Sequence, residues 1–187
     1  MNNNVKMRIG VFMMLFSIGL FAQNANHTSS DYASNAAISK VFSPIVLDAY
    51  KEQAKAKIND LYSYLNLWSK ETDSTTSNEI KNVIKKLFID NNVKFQYLDS
   101  NTPNFLTIDQ FLESIKRDKL QFAISRIELN EIQNNFFEMK YVLEIQNVKN
   151  KKEIISSQKV YLSEKEKQFG TNKKRVWELR IGDFYIN

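Results

Sequence analysis

The chain has 187 residues, 43% hydrophobic and 25% charged, with a net charge of +5, one histidine and no cysteine. That length supports one domain with a real core and is short for two. The missing cysteine excludes disulfides, thiolate metal sites and cysteine nucleophiles, and a single histidine, His27, leaves no histidine dyad, triad or metal set for the folded part.

Lys6 and Arg8 precede an apolar run from Ile9 to Ala22, and the polar pair Gln23-Asn24 follows directly. A basic start, an apolar middle and a small residue at the end form a signal-peptide pattern over residues 1–22, with cleavage near Ala22. The run is about fourteen residues where a spanning helix needs roughly 20, so no integral membrane segment is expected after cleavage. No cysteine follows the run, so a lipoprotein anchor is excluded. The expectation is an exported protein, periplasmic or secreted. Removing Lys6 and Arg8 takes the net charge from +5 down by two, to +3. That mild excess does not point to nucleic acid: the densest basic runs, Lys149 to Lys152 and Lys173 to Arg175, sit at expected strand ends and read as solvated hairpin tips.

Residues 23–42 are rich in Asn, Ser and Ala without a sustained period, and read as a flexible lead-in to a single domain over 43–187. Ser43-Pro44 reads as a helix cap with proline at the first helical position. Leu47, Tyr50, Ala54, Ile58, Leu61, Leu65 and Trp68 then advance by threes and fours as the packed stripe of a long helix, with Asn66 among the residues on the wet surface. After a polar break, Thr76 and Glu79 read as a capping box that starts a second helix carrying Ile80, Val83, Ile84, Leu87 and Phe88 on one face. Asp90-Asn91-Asn92 ends it, and Val93, Phe95 and Tyr97 alternate as a half-buried strand. A turn around Pro103 follows. Thr107 with Gln110 repeats the capping box and opens a short helix with Ile108, Phe111, Leu112 and Ile115.

Beyond Asp118 the period becomes alternating. Leu120, Phe122 and Ile124 give way to Ile127 and Leu129, a phase slip; Phe137, Met139, Tyr141, Leu143 and Ile145 form one face of the clearest strand. Ile154 to Ser163 is a weaker strand with Val160 and Leu162 on one face, and Glu164 to Lys174 reads as a charged connection containing Gly170. The last strand carries Trp177, Leu179 and Ile181, then slips phase at Gly182. A glycine at a slip indicates a bulge, and two slips indicate a strongly curved sheet.

A long helix, a second helix, a short strand pair, a short helix and an antiparallel meander make an α+β order: two N-terminal helices and a short third helix packed on a strongly curved mixed or antiparallel sheet. Together with Leu87-Phe88 at a helix end, the strand Val93 to Tyr97, the segment Leu106 to Leu112 and Val176-Trp177-Glu178-Leu179, this order resembles the nuclear transport factor two-like (SnoaL-like) superfamily over Pro44 to Ile186. The resemblance implies a cystatin-like α+β cone with a pocket at its wide end, and sheet-mediated pairing in some members. It spans isomerases, dehydratases, cyclases and scaffold domains, so it does not by itself select an activity.

The residue types narrow the choice. No glycine-rich phosphate loop exists, and no cofactor, metal site or catalytic residue is assigned. Tyr97, Tyr141, Trp177 and Trp68 are the pocket candidates, since aromatic faces with polar tips suit a mostly apolar small-molecule site. Asp99, Glu128 and Glu178 are the acid/base candidates, each weighed against an ordinary solvated face; Asp109, in the first turn of its helix, is explained by the helix dipole. The leading expectation is an exported, non-catalytic domain that binds a small molecule, a peptide or a second copy of itself as a homodimer. The rivals are an isomerase- or dehydratase-type enzyme using a buried carboxylate and a tyrosine, and an accessory protein of envelope assembly.

Overall fold

A computed structural model describes residues 38–96 and 104–187. The expected signal segment and nearly all of the lead-in lie outside the described residues, as do Tyr97 and Asp99. At the end of the lead-in stretch, α1 (Ile38–Val41) is a single helical turn, and Ile38 is buried in the core. Ser43 stands at the N-cap of α2 (Pro44–Lys70) with Pro44 at its first position. The expected stripe is inward: Ala54, Ile58, Leu61, Leu65 and Trp68 are buried. Asn66 corrects the surface reading. It is half-buried, donates to the Phe122 carbonyl at 2.8 Å and accepts from the Phe122 amide at 2.7 Å, so a side chain substitutes for a missing strand neighbour.

The second helix, α3 (Ser74–Leu87), starts earlier than the capping-box reading placed it. Asp73 is the cap; its Oδ1 accepts from the Thr76 amide at 2.8 Å, so Thr76 lies inside the first turn as a backbone donor. An aspartate caps at least as well as a threonine, and it sits three residues upstream. Phe88 leaves the helix in an extended conformation and bridges to Ile181. Two short strands, β1 (Phe95–Gln96) and β2 (Phe105–Leu106), follow, and then α4 (Ile108–Asp118). Its box is as expected: the Gln110 amide donates to Thr107 Oγ1 at 3.3 Å and the Thr107 amide to Gln110 Oε1 at 2.9 Å.

The meander comprises β3 (Gln121–Gln133), β4 (Phe136–Gln146), β5 (Lys151–Phe169) and β6 (Asn172–Ile186), and the six-stranded sheet has the order β2-β1-β6-β5-β4-β3. β1 runs parallel to β6 and the other pairs are antiparallel, so the sheet is mixed. Both phase slips are bulges. In β3 the register shifts between Ser125 and Glu128, with Arg126 at φ 53, and again between Leu129 and Glu131. In β6 the residues Gly182 and Asp183 face Lys159 alone, because Gln158 pairs with Phe184 and Val160 with Ile181. Such extra residues bend a strand and increase its twist, which curves the sheet.

One expected loop is a strand. Glu164 to Lys174 is a continuous hairpin in which Phe169 pairs with Asn172 and Gly170 turns the chain at φ 62. Neither face of this ribbon is buried, so its side chains alternate in charge and the hydrophobic alternation that marks a strand is missing.

The helices cover one sheet face. Phe137, Met139, Tyr141, Leu143 and Ile145 of β4 meet Ile58, Leu61, Tyr62 and Leu65 of α2 in one core. At the α4 end, Phe95 stacks on Phe111 with centroids 4.2 Å apart and meets Phe88 edge-on at 5.3 Å. The fold is α+β with helices on a curved mixed sheet, as the order of elements implied.

Candidate functional site

The interior holds one polar chain that links the helix layer to three strands. Tyr62 belongs to the inward stripe of α2, four residues after Ile58, and Tyr141 to the inward phase of β4. Their hydroxyls lie 2.9 Å apart and their rings meet edge-on at 5.8 Å. Tyr141 donates to Gln158 Oε1 at 3.0 Å, and Gln158 Nε2 donates to the Gly182 carbonyl at 3.2 Å.

These contacts fix the direction of every proton. A carbonyl only accepts, so the Gln158 amide must present its nitrogen to Gly182 and its oxygen to Tyr141. Tyr141 therefore spends its one proton on Gln158 and accepts from Tyr62. The bulge makes this possible, because Gly182 lies in the unpaired part of β6 and its carbonyl is available to a side chain. Ser156 stands directly opposite Tyr141 in the ladder; it is fully buried and its hydroxyl has no partner among the described residues.

Burial dominates the acid-base behaviour here. It raises the Tyr62 pKa, against a smaller lowering by the hydrogen bond to Tyr141, and it raises the Tyr141 pKa, where Tyr62 acts in the same direction. Both remain neutral phenols at any physiological pH. No Asp, Glu, Lys or Arg is among the buried polar residues described; these are Ser77, Ser114, Ser156, Ser157 and Gln158. A phenol whose folded pKa is raised stabilises fully below its unfolded value of about 10 and loses that contribution as pH climbs toward the folded value. In an alkaline titration followed at the phenolate absorbance band, we expect two tyrosines to ionise only together with loss of the folded circular dichroism signal.

The other sequence candidates are placed as follows. Trp68 is buried between α2 and α4: its Nε1 donates to the Leu112 carbonyl at 2.8 Å, and the Lys116 ammonium sits 4.5 Å from its ring centre. Trp177 is half-buried and meets Phe42 edge-on at 5.1 Å, away from the polar chain. Of the pocket candidates described, Tyr141 alone is part of it. Glu128 is exposed. Glu178 is an ion-pair carboxylate, 2.9 Å from Arg180 Nη2 and 3.3 Å from Lys165 Nζ; partial burial opposes its charge, but Arg180 and Lys165 outweigh that and lower its pKa. Asp109 lies 2.8 Å from both Lys81 and Lys85. None of these described carboxylates is both buried and unpaired, as a general acid near neutrality requires.

Two surface depressions lie elsewhere, one of about 490 Å³ beside α4 with Leu106, Asp109, Gln110 and Arg117 in its wall, the other of about 300 Å³ beside the β6 bulge with Asp90, Tyr161 and Asp183. Among the described residues no group of three or more His, Cys, Asp or Glu side chains is placed to hold a metal, and no helix is long and apolar enough to cross a membrane.

Sequence reasoning missed Gln158 and Ser156, although a cue existed. Once Val160 and Leu162 set the inward phase of β5, Gln158 and Ser156 share it, and two polar residues in an inward phase mark an interior network.

No protein-family model matches the chain, and no curated protein matches it. A solved structure, described as an epoxide hydrolase/cyclase-like enzyme, SalBIII, with a role in pyran ring formation in polyether salinomycin, superposes with a TM-score of 0.40 at 11% identity, over 71% of this chain and 96% of that one.

Proposed function

We propose that this chain is an exported, non-catalytic member of the nuclear transport factor two-like superfamily that acts by binding a macromolecular partner. The observation that supports this reading most is the interior chain Tyr62–Tyr141–Gln158–Gly182. The polar side chains of this interior chain are neutral and committed to one another. Displacing them for a substrate would break three hydrogen bonds donated by buried groups, at about 1–3 kcal/mol for each group left unsatisfied.

The test is site-specific photocrosslinking in the exporting cell. A photoreactive residue in place of Phe169, at the exposed end of the hairpin, is expected to give a discrete protein adduct, while one in place of the exposed Val148, at the β4–β5 turn, gives none. A small molecule that raises the melting temperature of the wild type, but not of Tyr141→Phe, would overturn the reading in favour of a ligand carrier or enzyme.

A further inference from the structure

The free part of the β5–β6 hairpin sorts its charges by face. β4 reaches only as far as Tyr161 on β5, and the Leu162 amide still donates to the Asn135 carbonyl at 2.7 Å, so from Ser163 outward β5 pairs with β6 alone among the described strands. The ladder from Val160↔Ile181 to Phe169↔Asn172 has no register shift, so residues opposite one another share a face and alternate residues share it along each strand. One face carries Glu164 and Glu166 with Lys173 and Arg175. They neutralise one another diagonally, Lys173 to Glu166 at 2.7 Å and Arg175 to Glu164 at 3.7 Å. The other face carries Lys165, Lys167, Lys174 and Arg180 against one carboxylate, Glu178, a net of +3.

Glu178 is already shared. Arg180, Lys165 and Lys167 approach it at 2.9, 3.3 and 3.8 Å, so it cannot neutralise them all. Lys174 and Lys167 are directly opposite each other, like charges in a cross-strand position that is normally destabilising. The Nε of Arg180 is buried with no partner among the described residues. Along Asn172–Arg180 no described strand pairs with the outer edge of β6, so its backbone donors and acceptors are unclaimed by the sheet.

We propose that the Lys165/Lys167/Lys174/Arg180 face of the β5–β6 hairpin is the docking surface for an extended acidic peptide segment of a partner protein. Charge complementarity selects the occupant, and the free β6 edge suits an extended rather than a helical segment, because a strand can add its own backbone to it. A second copy of the chain is a poor occupant, since two like faces of +3 repel. A flat anionic bilayer is also a poorer match, because the cations reach down to Arg180 at the base of the hairpin rather than ringing the exposed Phe169 at its end. This inference rests on the partner-binding reading and names the surface and the partner's chemistry.

The test uses the mature chain and a fluorescent twelve-residue peptide alternating Glu and Ser, with a Gln/Ser peptide, a Lys/Ser peptide and vesicles containing phosphatidylglycerol as the other probes. Two variants carry the same change in net charge: Lys167→Glu/Lys174→Glu on the basic face and Lys173→Glu/Arg175→Glu on the balanced face. All four positions are solvent-exposed, and circular dichroism checks folding. The acidic peptide is expected to bind at low salt and to lose affinity as salt rises. We expect at least about a tenfold loss in the first variant and no more than about a twofold loss in the second. Equal losses would reduce the effect to net charge and overturn the proposal. Vesicle binding without peptide binding would overturn it in favour of a membrane surface. A discrete crosslinked partner with no affinity for the acidic peptide would overturn it and leave the partner-binding reading standing. Stabilisation by a small molecule through Tyr141 strikes that reading instead.

Discussion

Replacing Gln158 by leucine is expected to lower the unfolding free energy by about 2–4 kcal/mol, the larger of the losses available within the polar chain. The substitution leaves Tyr141 without an acceptor and the Gly182 carbonyl without a donor, and each buried group left unsatisfied costs about 1–3 kcal/mol. The apolar surface of leucine offsets part of this. Tyr62→Phe removes only the terminal donor of the chain and leaves a lone pair of Tyr141 unused, so its cost should be nearer 1 kcal/mol. Urea unfolding of the two variants gives the comparison, and the order Gln158→Leu well above Tyr62→Phe is the signature of the proton direction deduced from the Gly182 carbonyl. If the two cost the same, that direction is wrong.

Trp68→Ala is expected to cost about 3–5 kcal/mol, by removing a large side chain from a filled interior. Trp68 is 4% exposed, its indole holds the Leu112 carbonyl of α4, and Lys116 lies over its ring while donating to Ser77 of α3 at 3.0 Å. Trp68 and Lys116 together thus join α2, α3 and α4. For a domain of ordinary stability, about 5–15 kcal/mol, the loss brings the chain close to unfolding at physiological temperature. Trp177→Ala should cost distinctly less, because Trp177 is half-buried at the edge of the core, where its ring meets Phe42. Melting temperatures of the two variants separate the roles; a greater loss for Trp177 would contradict the placement of Trp68 as the joint of the helix layer.

The residues that could be read from the sequence and those that could not differ in the range of the forces that place them. Thr107 and Gln110 cap α4 as their spacing implied, since both partners lie within one turn. Gly182 marks a bulge as its phase slip implied. The cap of α3 moved to Asp73 because two local caps competed and the chain's entry into the helix decided between them. Tyr141 was picked out as polar-tipped and inward; that Tyr62 and Gln158 would complete its hydrogen bonds depended on residues separated by 79 and 17 positions along the chain.

What the sequence alone determined is therefore the α+β class, the order of the helices and of the meander, the caps of α2 and α4, and a bend in each of β3 and β6. These follow from local backbone preferences and from the period of the apolar residues. Only the tertiary structure decided that Trp68 packs between α2 and α4, that Tyr62, Tyr141 and Gln158 bond to one another, and that a run read as a charged loop is a ribbon with one neutral and one basic face. The physical reason is register. A side chain's face and partners are set by which residue of the neighbouring strand or helix stands opposite it, and a shift of one residue exchanges the faces while leaving the local sequence pattern unchanged.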